Sequence, residues 1–293
     1  MSLYESGEST GKVALTSLFQ NPDKIYAESK LSLNDIAYLI CRGGWPLSTY
    51  LIGKHALNQA SDYFDSIVNS DISRIDGIHR NPELVMRLMR SYARNQGTQA
   101  GIQTIRKDLI SNEGDSLSNE TIKDYIDALK SIFVIEDAPA WNPNLRSKIA
   151  IRKSDTRYFI DPSIAAASLG FGPEDLLNDI NTFGLMFETL AIRDLRIYSE
   201  LLGGKVYHYR DKSNLECDAV IHLRNGHYGL VEIKLGGEKL IEEGAKSLKK
   251  LKDNIDTEKM AVPSFMMVLT ANSDIAYKRQ DDVFVVPIGA LTA

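Results

Sequence analysis

Asp218 lies in one short strand-like stretch, and Glu232-Ile233-Lys234 lies in the next, with thirteen residues between Asp218 and Glu232. Side chains alternate across a strand, so Glu232 and Lys234 share one face while Val231, Ile233 and Leu235 take the other. An acid and an amine on one face of an otherwise apolar strand, next to an acid on its neighbour, are the groups that phosphodiester hydrolysis needs. Asp218 and Glu232 can hold a hard dication, Mg2+ or Mn2+, through oxygen, leaving positions for water and phosphate. Lys234 can orient or help deprotonate the attacking water and offset charge developing on the phosphate. Glu216 shares a strand face with Asp218, so spacing alone leaves both acids as candidate ligands.

The two stretches must be joined tightly for those groups to meet. Arg224-Asn225-Gly226 supplies the turn, since Asn-Gly readily provides the two positive-φ residues of a hairpin. Upstream, 183–200 reads as an amphipathic helix with a stripe of Phe183, Phe187, Leu190, Ala191, Leu195 and Tyr198, and Glu188 at its edge. A strand is expected over 205–210. Beyond the hairpin come a helix over 238–251 and apolar strands over 264–270 and 283–288. The order is helix, three strands, helix, strand, strand.

The first half of the chain reads as helical. Ser32 caps a helix that stops at Gly43-Gly44 and Pro46, a longer helical stretch covers 46–70, and Pro82 opens another helix. From 101 the pattern is helix, a turn at 112–115, a second helix from Ser118 with Leu117 and Ile122 as a hydrophobic staple, then strand-like runs at 148–151 and 157–160. That is the layout of a winged helix. The exposed side of the second helix carries Glu120, Asp124 and Asp127 against Lys123 and Lys130, too acidic for simple groove reading. Arg146, Lys148, Arg152 and Lys153, with Arg157 close behind, are the better candidates for nucleic-acid contact through phosphates.

A net charge of −5 excludes a generic polyanion binder, so any such contact must be local. No apolar run has transmembrane length, and 1–12 is polar, flexible in expectation, and unlike a signal peptide, so no membrane association is expected. Cys41 and Cys217 sit in separate apolar contexts, which predicts buried thiols in a reducing cytoplasm. The segment from Gly7 to Lys12 lacks the first glycine and the Ser/Thr of a phosphate-binding loop, so it is no nucleotide site.

Asp218, Glu232-x-Lys234 and the elements around them resemble the PD-(D/E)xK nuclease-like superfamily over about 179–288. That resemblance implies Asp218 as the ligand, Glu216 as a possible helper, and Glu188 as the group completing the metal shell. Cys217 stands where the eponymous Pro would be. A wider likeness rests on Leu39 to Pro46, Ser118 to Leu129, Tyr158 to Pro162 and Gly184 to Glu188. These stretches resemble the domain of unknown function that follows the AAA-type ATPase core in many bacterial and archaeal proteins. The likeness implies a prokaryotic α/β multidomain chain: a helical region at 1–95, a winged helix at 96–170, and a nuclease-like domain at 171–293 with a mixed central sheet. It also implies an ATPase core upstream, absent from this chain, through which alone ATP would be used and which would be its partner. The alternative function is a non-catalytic DNA- or protein-binding module that targets that ATPase.

Overall fold

The C-terminal strands are rich in β-branched and apolar residues on both faces, which demands cover on both sides of a sheet. The structure is a computed structural model that describes residues 1–74, 76–110, 117–146 and 150–293. Its strands are β1 (Val13–Ala14), β2 (Ala27–Glu28), β3 (Gly204–Arg210), β4 (Glu216–Leu223), β5 (Tyr228–Gly236), β6 (Phe265–Asn272), β7 (Ile275–Lys278), β8 (Val283–Pro287) and β9 (Leu291–Thr292). Seven of them form a mixed sheet in the order β2-β7-β8-β6-β5-β4-β3. β3, β4 and β5 are an antiparallel meander, and β5–β6 and β6–β8 are parallel. The crossover from β5 to β6 is the helix Glu238–Asn254, whose Ile241, Ala245, Leu248 and Leu251 pack on Val220, Leu230, Val268 and Val285. The fold is therefore mixed α/β, with the expected order of helix, three strands, helix and strand. The sheet also takes in β2 and β7, which the sequence pattern does not announce.

The chain forms two compact units, each assembled from separated stretches. A sheet unit combines 1–36, 138–153 and 190–293, and a helical unit combines 37–137 and 154–189. This division differs from consecutive parts at 1–95, 96–170 and 171–293. The segment 1–12 is not loose: Leu3 is buried and its N–H donates to the Asp194 carboxylate at 2.9 Å. The segment 138–153 belongs to the sheet unit, where its described apolar side chains find cover. Trp141 is buried against Tyr209 and Tyr228, and Leu145 and Ile151 pack on the same core.

In the helical unit the helices Ile102–Leu109 and Asn119–Ser131 pack together, the second capped by Ser118 Oγ accepting from Thr121 N at 3.1 Å. The expected turn at 112–115 lies outside the described residues. Of the expected strand-like run at 148–151, residues 148 and 149 lie outside the described residues, and among the described ones no pairing joins it to 157–160. Phe159 instead bridges Ile135, while Ile151 bridges Asp211 of the sheet unit. The helical stretch 46–70 is also interrupted, by Gly53 at φ +57°, which separates Pro46–Thr49 from Lys54–Ser66. Among the described residues no helix is long and apolar enough to cross a membrane.

One buried acid sets where β4 begins. Asp211 accepts from Ser213 N and Oγ at 2.7 Å each, Leu215 N at 3.2 Å and Tyr209 Oη at 3.0 Å. Burial alone would raise its pKa, but these donors outweigh burial and hold it below the ordinary carboxylate value. Replacing Asp211 with Ala strands the buried Tyr209 hydroxyl and the Leu215 N–H, so a loss of about 2–4 kcal/mol is expected in urea unfolding at pH 7. The folded pKa is the lower one, so this contribution is present above pH ~4 and fades as pH falls through the folded value. A variant as stable as the parent at pH 7 would remove this role.

Candidate active site

The β4–β5 hairpin turns through Arg224-Asn225-Gly226, with Leu223 N donating to His227 O at 2.8 Å. Of the two central residues expected at positive φ, only Gly226 adopts it, at +86°. The loop is a three-residue turn closed by a left-handed glycine rather than a two-residue Asn-Gly turn. From it the ladder runs in register from His222↔Tyr228 to Ala219↔Val231 and stops there. One residue further, Asp218 turns its carboxylate onto β5, where Oδ2 accepts the Ile233 N–H at 2.7 Å and the Lys234 ammonium at 3.0 Å. The same ammonium lies 2.6 Å from Glu232 Oε2. Lys234 Nζ thus sits between two carboxylates from adjacent strands.

Glu232 is only 3% exposed, and its second oxygen, Oε1, is buried with no hydrogen-bond partner. The cause is the helix Glu238–Asn254. At Gly244 an added Cβ would stand 3.3 Å from Glu232 Cβ and 3.2 Å from Val268 Cγ2, so glycine is what lets the helix close over this acid. Ser247 Oγ of the same helix donates to the Glu216 carbonyl at 2.9 Å. The Glu216 side chain stays exposed at the rim and pairs with Arg210 at 3.4 Å.

Burial first, and then the Asp218 charge, raise the Glu232 pKa to about 8 against the opposing pull of Lys234. Burial alone would lower the Lys234 pKa, but Asp218 and Glu232 outweigh it and hold the amine above its ordinary value as an ammonium. Burial also pushes the neighbouring Cys217 thiol up, with Glu232 and Asp218 adding to it, so this cysteine is unreactive. An unpaired oxygen in a dry site costs about 1–3 kcal/mol, and more when the group is charged. A cation is the partner that would satisfy it. Mg2+ is commonly held by one or two carboxylates and keeps several waters, which fits the pair Asp218 and Glu232. Among the described residues no cluster of three or more His, Cys, Asp or Glu is placed to hold a metal.

Glu188 lies in the helical unit, where it accepts a hydrogen bond from the buried Tyr158 hydroxyl, and an added Cβ at Gly97 would stand 3.2 Å from its carboxylate oxygens. Of the basic residues, Lys148 lies outside the described residues. Arg152 donates to Asn214 Oδ1 at 2.9 Å, and its N–H donates to Arg210 O at 2.8 Å, beside the strand end that carries Glu216. Lys153 is exposed next to it. Arg146 lies elsewhere in the unit, bonded to Thr257 Oγ1 at 3.0 Å and to Asn254 O. Sequence reasoning missed Gly244 and Arg210. The signal for the first was a glycine inside the stripe Ile241, Gly244, Ala245, Leu248, where an apolar side chain belongs.

Two family models match separate parts of the chain. Residues 33–175 match a family model described as a domain of unknown function, DUF8612. Residues 183–291, which carry Glu188 and the whole Asp218–Glu232–Lys234 cluster, match a second such model, DUF4143. No curated protein and no solved structure matches significantly.

The raised Glu232 pKa makes a stability prediction. In the fold the ionised form is the disfavoured one, so the penalty is absent below the unfolded value near pH 4.3 and is complete above about pH 8. Glu232→Gln carries no such penalty. Its stability relative to the parent should therefore improve between pH 5 and pH 8, by on the order of 2 kcal/mol, in metal-free urea titrations. A difference that stays flat across that range would contradict the assignment.

Proposed function

We propose that the sheet unit is a Mg2+- or Mn2+-dependent phosphodiesterase acting on nucleic acid, working in the cytoplasm as part of a prokaryotic AAA-type ATPase. The observation that carries this is the pair of carboxylates from adjacent strands converging on one lysine, with a buried Glu232 oxygen left unsatisfied. Asp218 and Glu232 would hold the dication, which supplies Lewis-acid polarisation of the phosphate and a more acidic bound water. Lys234 would place its charge against the phosphate and orient the water. Glu216 sits at the rim as a helper. Glu188 enters this reading on the sequence resemblance alone. Arg152 and Lys153 lie in the same unit as the carboxylates and are the better-placed phosphate contacts; Arg146 is a further one. ATP enters only through the ATPase core expected upstream, which is also the partner.

A non-catalytic module that targets the ATPase to DNA or a protein is the second reading. It is favoured by the fact that Lys234 alone already neutralises much of the carboxylate charge in a largely buried setting. The two readings part on one assay. Purified protein incubated with duplex and single-stranded DNA and with RNA should release cleaved product in Mg2+ or Mn2+ and none in EDTA. Lys234→Ala and Asp218→Asn should each lower the rate by 100-fold or more. Charge reversal at Arg152 and Lys153 should weaken nucleic-acid binding and flatten its salt dependence without touching the carboxylates. Cleavage that survives Lys234→Ala would end the phosphodiesterase reading, and so would no cleavage of any of the three substrates.

A further inference from the structure

Both oxygens through which the candidate ligands face each other are already taken. Asp218 Oδ2 is 3.0 Å and Glu232 Oε2 is 2.6 Å from the Lys234 ammonium. We infer that Lys234 is the resident counter-ion of the site and that a dication loads by exchanging with it, which frees the ammonium for the substrate phosphate. This deepens the phosphodiesterase reading and rests on its metal site.

The argument is one of charge and space. A dication bound by Asp218 and Glu232 would repel an ammonium held at hydrogen-bond distance from the same two groups. Glu232 Oε1, buried and unpaired, marks an acceptor the ammonium does not reach, so the lysine leaves the site's demand for positive charge incomplete. The strand beneath cannot yield. β5 pairs with β6 through Lys234↔Thr270 and Gly236↔Asn272, and at Gly236 an added Cβ would lie 2.6 Å from Asn272 O. The movement available is therefore in the lysine's own four-carbon stem, whose side chain is 24% exposed against 4% for Glu232. One residue thus holds the empty site together and becomes the phosphate-facing cation once the site is loaded. The substrate side of the site is then completed only after metal enters, which orders the two binding events.

Mn2+ alone is the probe, titrated by electron paramagnetic resonance into the full chain, into Lys234→Met and into Lys234→Arg. Removing the competing ammonium should tighten Mn2+ binding by tenfold or more, equivalent to about 1.4 kcal/mol. Lys234→Arg, which keeps the charge, should bind close to the parent. In parallel, labelling of the Lys234 amine by an acylating reagent, read by peptide mass spectrometry, should accelerate several-fold in the parent when Mn2+ is added. If the parent binds Mn2+ and Lys234→Met binds no tighter, the exchange is wrong while the metal site stands. If neither binds Mn2+ at millimolar concentration, the metal site falls and the exchange with it. Should Lys234→Met fail to fold, the labelling arm decides alone, since a Lys234 whose labelling ignores Mn2+ overturns the exchange.

Discussion

The charge balance at Asp218, Glu232 and Lys234 constrains everything built around it. Two acids share one ammonium in a setting largely withdrawn from water, where burial and the Asp218 charge disfavour ionisation of Glu232. Removing one member of such a buried set is costly because it strands the others, and so the set is weak evidence for stability alone. A fold selected only to be stable would fill the underside of the helix with apolar volume. Instead Gly244 leaves room there for a carboxylate. Glycine within a helix costs about 1 kcal/mol relative to alanine, and here that cost comes with an acid whose second oxygen has no partner. Both costs fall on the same few atoms, which is the pattern expected of a site held ready for a cation.

The remainder of the sheet unit can be understood as what keeps those atoms in register. A one-residue slip of β4 against β5 would put Asp218 on the wrong face, so the ladder is fixed at both ends. The left-handed Gly226 closes it at the hairpin, and Asp211 gathers the turn before β4 at the other end. The apolar cluster of Val220, Leu230, Val268 and Leu248 then occupies the same face, directly continuing from the acids. The segment 138–153 adds Trp141 and Ile151 to that core and brings Arg152 alongside Arg210. A covering segment and a basic rim are thus supplied by one stretch of chain.

The acid–amine pattern was legible because strand periodicity is two and because the hairpin brings residues fourteen apart into neighbouring strands. The long helices and the apolar strands were legible for the same reason: each repeats a pattern long enough to exceed chance. What was not legible is carried by single residues. Trp141, Leu145 and Ile151 pack on the core of the sheet unit, a placement that no periodicity in 138–153 announces. β2 and β7 are too short for alternation to register, so the sheet's far edge was invisible. The burial of Glu232 depended on what crosses above it, and only the Gly244 contact reveals that.

The chain carries a net charge of −5, so a polyanion meets repulsion at long range. Long-range steering cannot bring a phosphodiester here; only short-range compensation can. Arg152 and Lys153, with Arg210 tied to Glu216, offer such compensation at the strand end nearest Asp218. In the proposed reading a dication would bind the oxygens and would also add positive charge beside the phosphate. A lysine that releases the carboxylates as the metal arrives serves both, because the positive charge within reach of a phosphate then rises from one to three. A site arranged this way would attract nucleic acid only when loaded, a distinction that would need no moving domain and only one side-chain rotation.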